Sequence, residues 1–145
     1  MIPKIYDALI QAAANEWLPG VDWRLLKAQY FQESQLKQHA VSPAGARGIA
    51  QIMPRTFAEW APKAGFGKEL IFDVEASVFT GACYMGHLIK QWSSQRPAID
   101  RHCLALASYN AGLGNVVAAQ KAEGGRLLYC EIVEGLPGVT GKHSR

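Results

Sequence analysis

Cysteine is scarce in this chain. Cys83, Cys103 and Cys130 are the three present, and no two stand at the spacing of a metal site. An odd number in a chain long enough to fold without staples points to buried free thiols, with one disulfide as the alternative. The four histidines, His39, His87, His102 and His143, form neither an HxxxH nor an HExxH pattern. No metal and no other cofactor is called for. Long apolar runs are lacking too. No stretch approaches the roughly 20 apolar residues of a membrane helix. Met1-Ile2-Pro3-Lys4 leads into an amphipathic pattern without the apolar run of a signal peptide, so synthesis in the cytoplasm is expected. Clusters of Lys and Arg are absent, and a net charge of +3 is too weak to argue for nucleic acid. It is compatible with an anionic polymer as partner.

Repeats, low-complexity segments and linkers are also missing, so residues 1–145 read as a single domain. With 49% hydrophobic and 19% charged residues the chain can bury a core and stay dissolved. A monomer is expected. No convincing strand pattern occurs, and the fold class is mainly α. Pro3 suits a first helical position, and Ile5, Leu9, Ala12, Ala13 and Trp17 recur at helical spacing up to the stop at Pro19-Gly20. Asp22 reads as the N-cap of a second helix ending near Gln35. A loop with short turns, or a small β-hairpin, covers Leu36 to Met53. A helix from Pro54 to Trp60 ends at Pro62. Asp73 caps the longest helix, to about Trp92, with Val74, Val78, Gly81, Met85, Leu88 and Trp92 as its buried stripe. Ile99–Asn110, Leu113–Ala122 and Arg126–Glu134 are further helices, and the tail from Leu136 reads as irregular.

One carboxylate stands out. On the second helix Leu26, Tyr30 and Glu33 fall at i, i+4 and i+7, on one face. That face is apolar, so Glu33 points at the interior or a cleft. A carboxyl group in apolar surroundings has its pKa raised toward neutrality, which suits it to deliver a proton. A solvated surface glutamate is the bland competing reading. The context decides against it: Gln32-Glu33-Ser34 is followed by Ser42-Pro43-Ala44-Gly45-Ala46-Arg47-Gly48-Ile49-Ala50-Gln51-Ile52-Met53-Pro54. Gly45 and Gly48 there permit close backbone approach or positive φ.

Together with Ser108-Tyr109-Asn110-Ala111-Gly112, these motifs resemble the lytic transglycosylase family of lysozyme-like proteins, in the family's order and spacing, from about Asp22 to Gly114. Those enzymes cut the glycan strands of peptidoglycan. The resemblance implies a lysozyme-like helical domain with Glu33 as its sole catalytic acid and base. It implies that Ser42 orients that carboxyl or the sugar's N-acetyl group, that Gln51 and Met53 line the sugar-binding cleft, and that Tyr109 lies over it. The competing readings are a loop or cap role for Ser42, a core role for Met53 and a structural role for Tyr109. Asn110 reads as a helix cap. Three departures from the family pattern stand out. Ala50 replaces a usual Met, which removes bulk near the cleft. Ser77-Val78 replaces Asn-Ile, a packing change. Val139 to Arg145 resembles the lead-in to a last family helix, before which the sequence stops.

Most glycosidases use two carboxyl groups, and no second one stands near Glu33 in a recognisable motif. A one-carboxylate route, implied by the resemblance, closes the C6 hydroxyl of N-acetylmuramic acid onto C1 and leaves a 1,6-anhydro end. Hydrolysis of the same bond, as in goose-type lysozymes, is the first alternative. A non-catalytic wall-binding or virion module is the second. A wall enzyme without an export signal fits a phage or prophage protein, delivered at lysis or within a virion.

Overall fold

The computed structural model describes residues 2–140. The stretch from Gly141 to Arg145, part of the tail read above as a helix lead-in, lies outside the described residues. The chain forms two compact units, Met1–Gly86 and His87–Arg145.

In the first unit, α1 spans Asp7–Trp17 and buries Ile10, Ala13 and Ala14. The expected start at Pro3 is four residues too early. Ile5 is 79% exposed, so nothing buried offsets the entropy of ordering that turn. The buried face is correspondingly rotated away from Ile5 and Ala12. Helix α2, Trp23–Ser34, starts where expected: Asp22 accepts from Arg24 N at 3.0 Å, a side-chain N-cap. It ends on Gln35 and Leu36, both with φ near +60°. The loop after it makes two isolated antiparallel bridges, Val41 with Arg47 and Arg47 with Ile52. These fall short of a hairpin ladder.

Helix α3, Pro54–Ala64, runs through Pro62, contrary to the expected stop. Gly65, at φ +96°, ends it instead. Phe66 N donates to Ala61 O at 2.9 Å and Gly65 N to Pro62 O at 3.1 Å, the paired bonds of a Schellman cap. Proline lacks only the N–H, and this cap draws on the Pro62 carbonyl. A 3-10 turn at Lys68–Leu70 leads to α4, Val74–Gln91. Asp73 caps it through Ala76 N at 2.9 Å. Between Ala76 and Gly86 almost every residue of α4 is buried. It is a core helix, and the stripe expected from sequence is too narrow.

The second unit carries α5 (Ala98–Ala111), α6 (Leu113–Ala122), α7 (Tyr129–Val133) and α8 (Leu136–Thr140). Trp92, Leu104, Val116, Ala119, Ile132 and Leu136 form its buried cluster. Helix α7 is shorter than expected. The tail expected to be irregular forms α8, because Leu136 is buried in the cluster and Val139, three residues on, packs against it. Burial of thiols holds for Cys83; Cys103 is half-buried and Cys130 exposed. Among the described residues no helix is long and apolar enough to cross a membrane.

Candidate active site

Glu33 is the penultimate residue of α2 and half-buried. Burial raises its carboxyl above the ordinary value. The helix C-terminus, with its partial negative charge, works in the same direction. No charged neighbour contributes. Beneath it, Tyr30 is fully buried and its hydroxyl donates to Val78 O at 2.8 Å, tying α2 to α4. Burial pushes the Tyr30 phenol far above its usual range, so it stays protonated.

The residue after Glu33 builds the site's frame. The Ser34 hydroxyl lies within hydrogen-bond distance of Ile49 O, 2.7 Å, and Tyr30 O, 3.1 Å, and accepts from Leu36 N at 3.1 Å. One buried hydroxyl thus ties the loop of residues 36–53 to the helix turn that carries Glu33. Sequence reading quoted Ser34 in the motif and missed this role. Ser77 acts from the opposite side: its Oγ accepts from Ala50 N at 3.1 Å. Ala50 is fully buried, and a Cβ on Gly81 would lie 2.9 Å from its own Cβ. The Ala50 side chain therefore lies in the core. The Ser77 substitution in turn supports the loop as well as packing.

Ser42, Gln51 and Met53 all lie on this tied loop. Ser42 Oγ accepts from Ala46 N at 3.0 Å while its own N–H donates to Ala46 O at 2.9 Å. Gln51, at φ +51°, donates from Nε2 to Ala40 O at 3.0 Å and Gly48 O at 2.9 Å. Both hydrogens hold the loop, and the amide oxygen is what it can offer a ligand. Met53 is 42% exposed, which rules out the core reading. Gly48, at φ +78°, has no room for a side chain: a Cβ there would lie 2.8 Å from Ile71 O. Gly45 is at φ +100° beneath the Met53 methyl.

Tyr109 lies on α5 in the second unit and is half-buried. Its neighbour Ser108 is fully buried, accepts from Trp92 Nε1 at 3.0 Å and donates to Leu104 O at 2.8 Å. Asn110 is exposed and lies inside α5, whose C-cap is Gly112. Gly112 ends α5, and Asn115 Nδ2 takes up Ala111 O at 2.7 Å. Among the described residues, no group of three His, Cys, Asp or Glu side chains could hold a metal ion.

A helical domain that keeps one carboxyl in apolar surroundings at a helix end, framed by a serine-tied loop, is of the lysozyme-like class. The chain belongs to the Transglycosylase SLT domain family, whose model matches residues 9–128. It is 36% identical over 111 residues to the membrane-bound lytic murein transglycosylase F of Shewanella pealeana, covering 77% of this chain and 22% of that protein. To the protein of the same name from Marinobacter nauticus it is 38% identical over 116 residues, covering 80% and 22%. The chain thus spans about a fifth of these relatives' length. Among solved structures, an inactive mutant of the lytic transglycosylase Slt from Pseudomonas aeruginosa superposes with a TM-score of 0.74 at 27% identity, covering 94% of this chain and 21% of that one. The 70 kDa soluble lytic transglycosylase of Escherichia coli gives 0.74 at 24% identity, covering 97% and 23%, a likeness of fold.

Proposed function

We propose that this chain is a peptidoglycan lytic transglycosylase. It cleaves the β-1,4 bond between N-acetylmuramic acid and N-acetylglucosamine and leaves a 1,6-anhydro end. The observation that carries the reading is the half-buried Glu33 carboxyl, raised by burial, in a chain of the SLT family. A retaining glycosidase sets its second carboxyl group about 5 Å from the first. Such a neighbour would add a like-charge contribution, and none acts on Glu33.

Glu33, protonated, gives its proton to the glycosidic oxygen. The substrate's own N-acetyl group stabilises the developing cation. Glu33 then takes the proton of the C6 hydroxyl as that oxygen closes on C1. Two bonds to hydrogen are exchanged and no water is consumed. The attacking hydroxyl is tethered to the reacting ring, and effective molarities for such groups reach about 10⁵–10⁸ M. Ser42, Gln51 and Met53 are proposed to bind the glycan from the tied loop. Tyr109 is assigned to it by the Ser-Tyr-Asn-Ala-Gly motif. The narrower proposal on delivery is release at phage lysis or carriage in a virion.

Mass spectrometry of fragments released from purified sacculi tests the reaction. Anhydromuramic ends are expected as the main product. Reducing ends would replace this reading with hydrolysis, and no release at all with a wall-binding module.

A further inference from the structure

Gln29 stands one turn before Glu33 on α2. Residues four apart on a helix are surface neighbours, so the two side chains share a face. Gln29 is only 7% exposed, and its Nε2 is buried without a hydrogen-bond partner. Buried polar groups in folded proteins nearly always have a partner, so an orphaned donor calls for an acceptor. Helical side chains lean toward the helix N-terminus. Glu33 therefore reaches back over the turn that carries Gln29.

Of the other polar groups on this part of α2, Gln32 is exposed to solvent and the buried ones are engaged. The Tyr30 hydroxyl is held by Val78 O, the Ser34 hydroxyl by Ile49 O and Tyr30 O, and Lys27 pairs with Asp7 of α1 at 2.6 Å. The Glu33 carboxyl is the acceptor on this face with lone pairs to spare. We infer that Gln29 is a positioning residue for Glu33, its side-chain amide donating to the Glu33 carboxylate once the proton has left for the substrate. Gln29 transfers no proton. It orients the carboxylate that must take the second proton, and the inference rests on the proposed role of Glu33.

A donor to the ionised form favours it, so Gln29 opposes the effect of burial. The charged and titratable groups on the elements packed against α2 leave that contribution visible. Asp7 and Glu16 of α1, Lys37, His39 and Arg47 of the loop, and Asp73, Glu75 and Tyr84 around α4 add nothing to the displacement of Glu33.

The experiment follows Glu33 and Gln29 by NMR in the substrate-free protein. The Glu33 side-chain carboxyl carbon reports its titration, and the Gln29 side-chain amide should shift at the same midpoint. In Glu33→Gln that shift should vanish. Gln29→Met keeps the side chain's length and removes the donor. It should raise the Glu33 midpoint by about one pH unit and lower kcat about tenfold at unchanged KM. Gln29→Glu should raise the midpoint further, because two carboxyl groups then share the site. A Gln29 amide that stays still through the Glu33 titration overturns the inference, as does a folded Gln29→Met protein with the wild-type midpoint. If Gln29→Met does not fold, the wild-type amide decides alone. Coupled titration in a protein inert toward sacculi would refute the proposed function and leave the Gln29–Glu33 hydrogen bond standing without its positioning role; uncoupled titration in an active one would overturn this inference and leave the proposed function standing.

Discussion

At the scale of single residues, the proposed chemistry rests on one carboxyl group. Replacing Glu33 by Gln removes the proton and keeps the shape. Wall cleavage should fall at least about 10²–10⁴-fold, the usual worth of one general acid, with an unchanged circular dichroism spectrum. Near wild-type turbidity clearance by that variant would refute the assignment. The pH dependence has a definite sign. Burial raises the folded-state pKa of Glu33, so the acid form persists above the ordinary carboxyl range, and activity should decline as pH rises through the raised value. Stability follows the same linkage. The folded state holds this proton more tightly than the unfolded one, so the contribution is full below the unfolded pKa and lost as pH rises through the folded pKa. Glu33→Gln should therefore melt close to wild type at pH 4 and above it at pH 8. Equal differences at the two pH values would show that Glu33 is not desolvated.

At the scale of elements, α2 and the loop of residues 36–53 work as one part because Ser34 joins them. Ser34→Ala strips Ile49 O and Leu36 N of a buried partner. It should cost about 1–3 kcal/mol in urea unfolding and raise KM more than it lowers kcat. A stability loss with unchanged KM would mean the loop does not meet the substrate. The contact of α2 with α4 depends on a missing side chain. A Cβ on Gly81 would fall against Tyr30 Oη and Ala50 Cβ, so Gly81→Ala should cost about 1–3 kcal/mol by overpacking. Tyr30→Phe removes the oxygen in the way. In a double-mutant cycle the two changes together should cost less than their sum; strict additivity would place the crowding elsewhere.

At the scale of the molecule, the proposed substrate is an insoluble polymer, and access to it should decide the outcome as much as catalysis does. Added from outside, the protein should clear a suspension of Gram-negative cells only after their outer membrane has been permeabilised. Clearance of intact cells at the same rate would mean that the protein crosses that barrier unaided. The stretch shared with this chain is 22% of each of the two relatives compared. It is to that shared stretch that the product test applies.

The sequence by itself determined the helical class, most helix positions and the half-buried place of Glu33 on its helix. Asp22 and Asp73 announce their helices because a cap acts on backbone two or three residues away, and Leu113–Ala122 lies between glycines that end helices locally. Glu33 was legible because a motif and a helical face coincide. Tertiary structure alone decided what depends on distant burial. Pro3 was a sound local start, yet Ile5 has nothing to pack against. Leu136–Thr140 looked irregular, yet the core of the second unit buries Leu136. Ala50 read as a cleft residue and is a core one, because Tyr30, Gly81 and Ser77 close around it from 20 to 31 residues away. Ser34 and Gln29 are the plainest cases: a serine and a glutamine on a helix carry no local signal. Their meaning comes from a carbonyl fifteen residues on, and from the burial that leaves an amide without an acceptor.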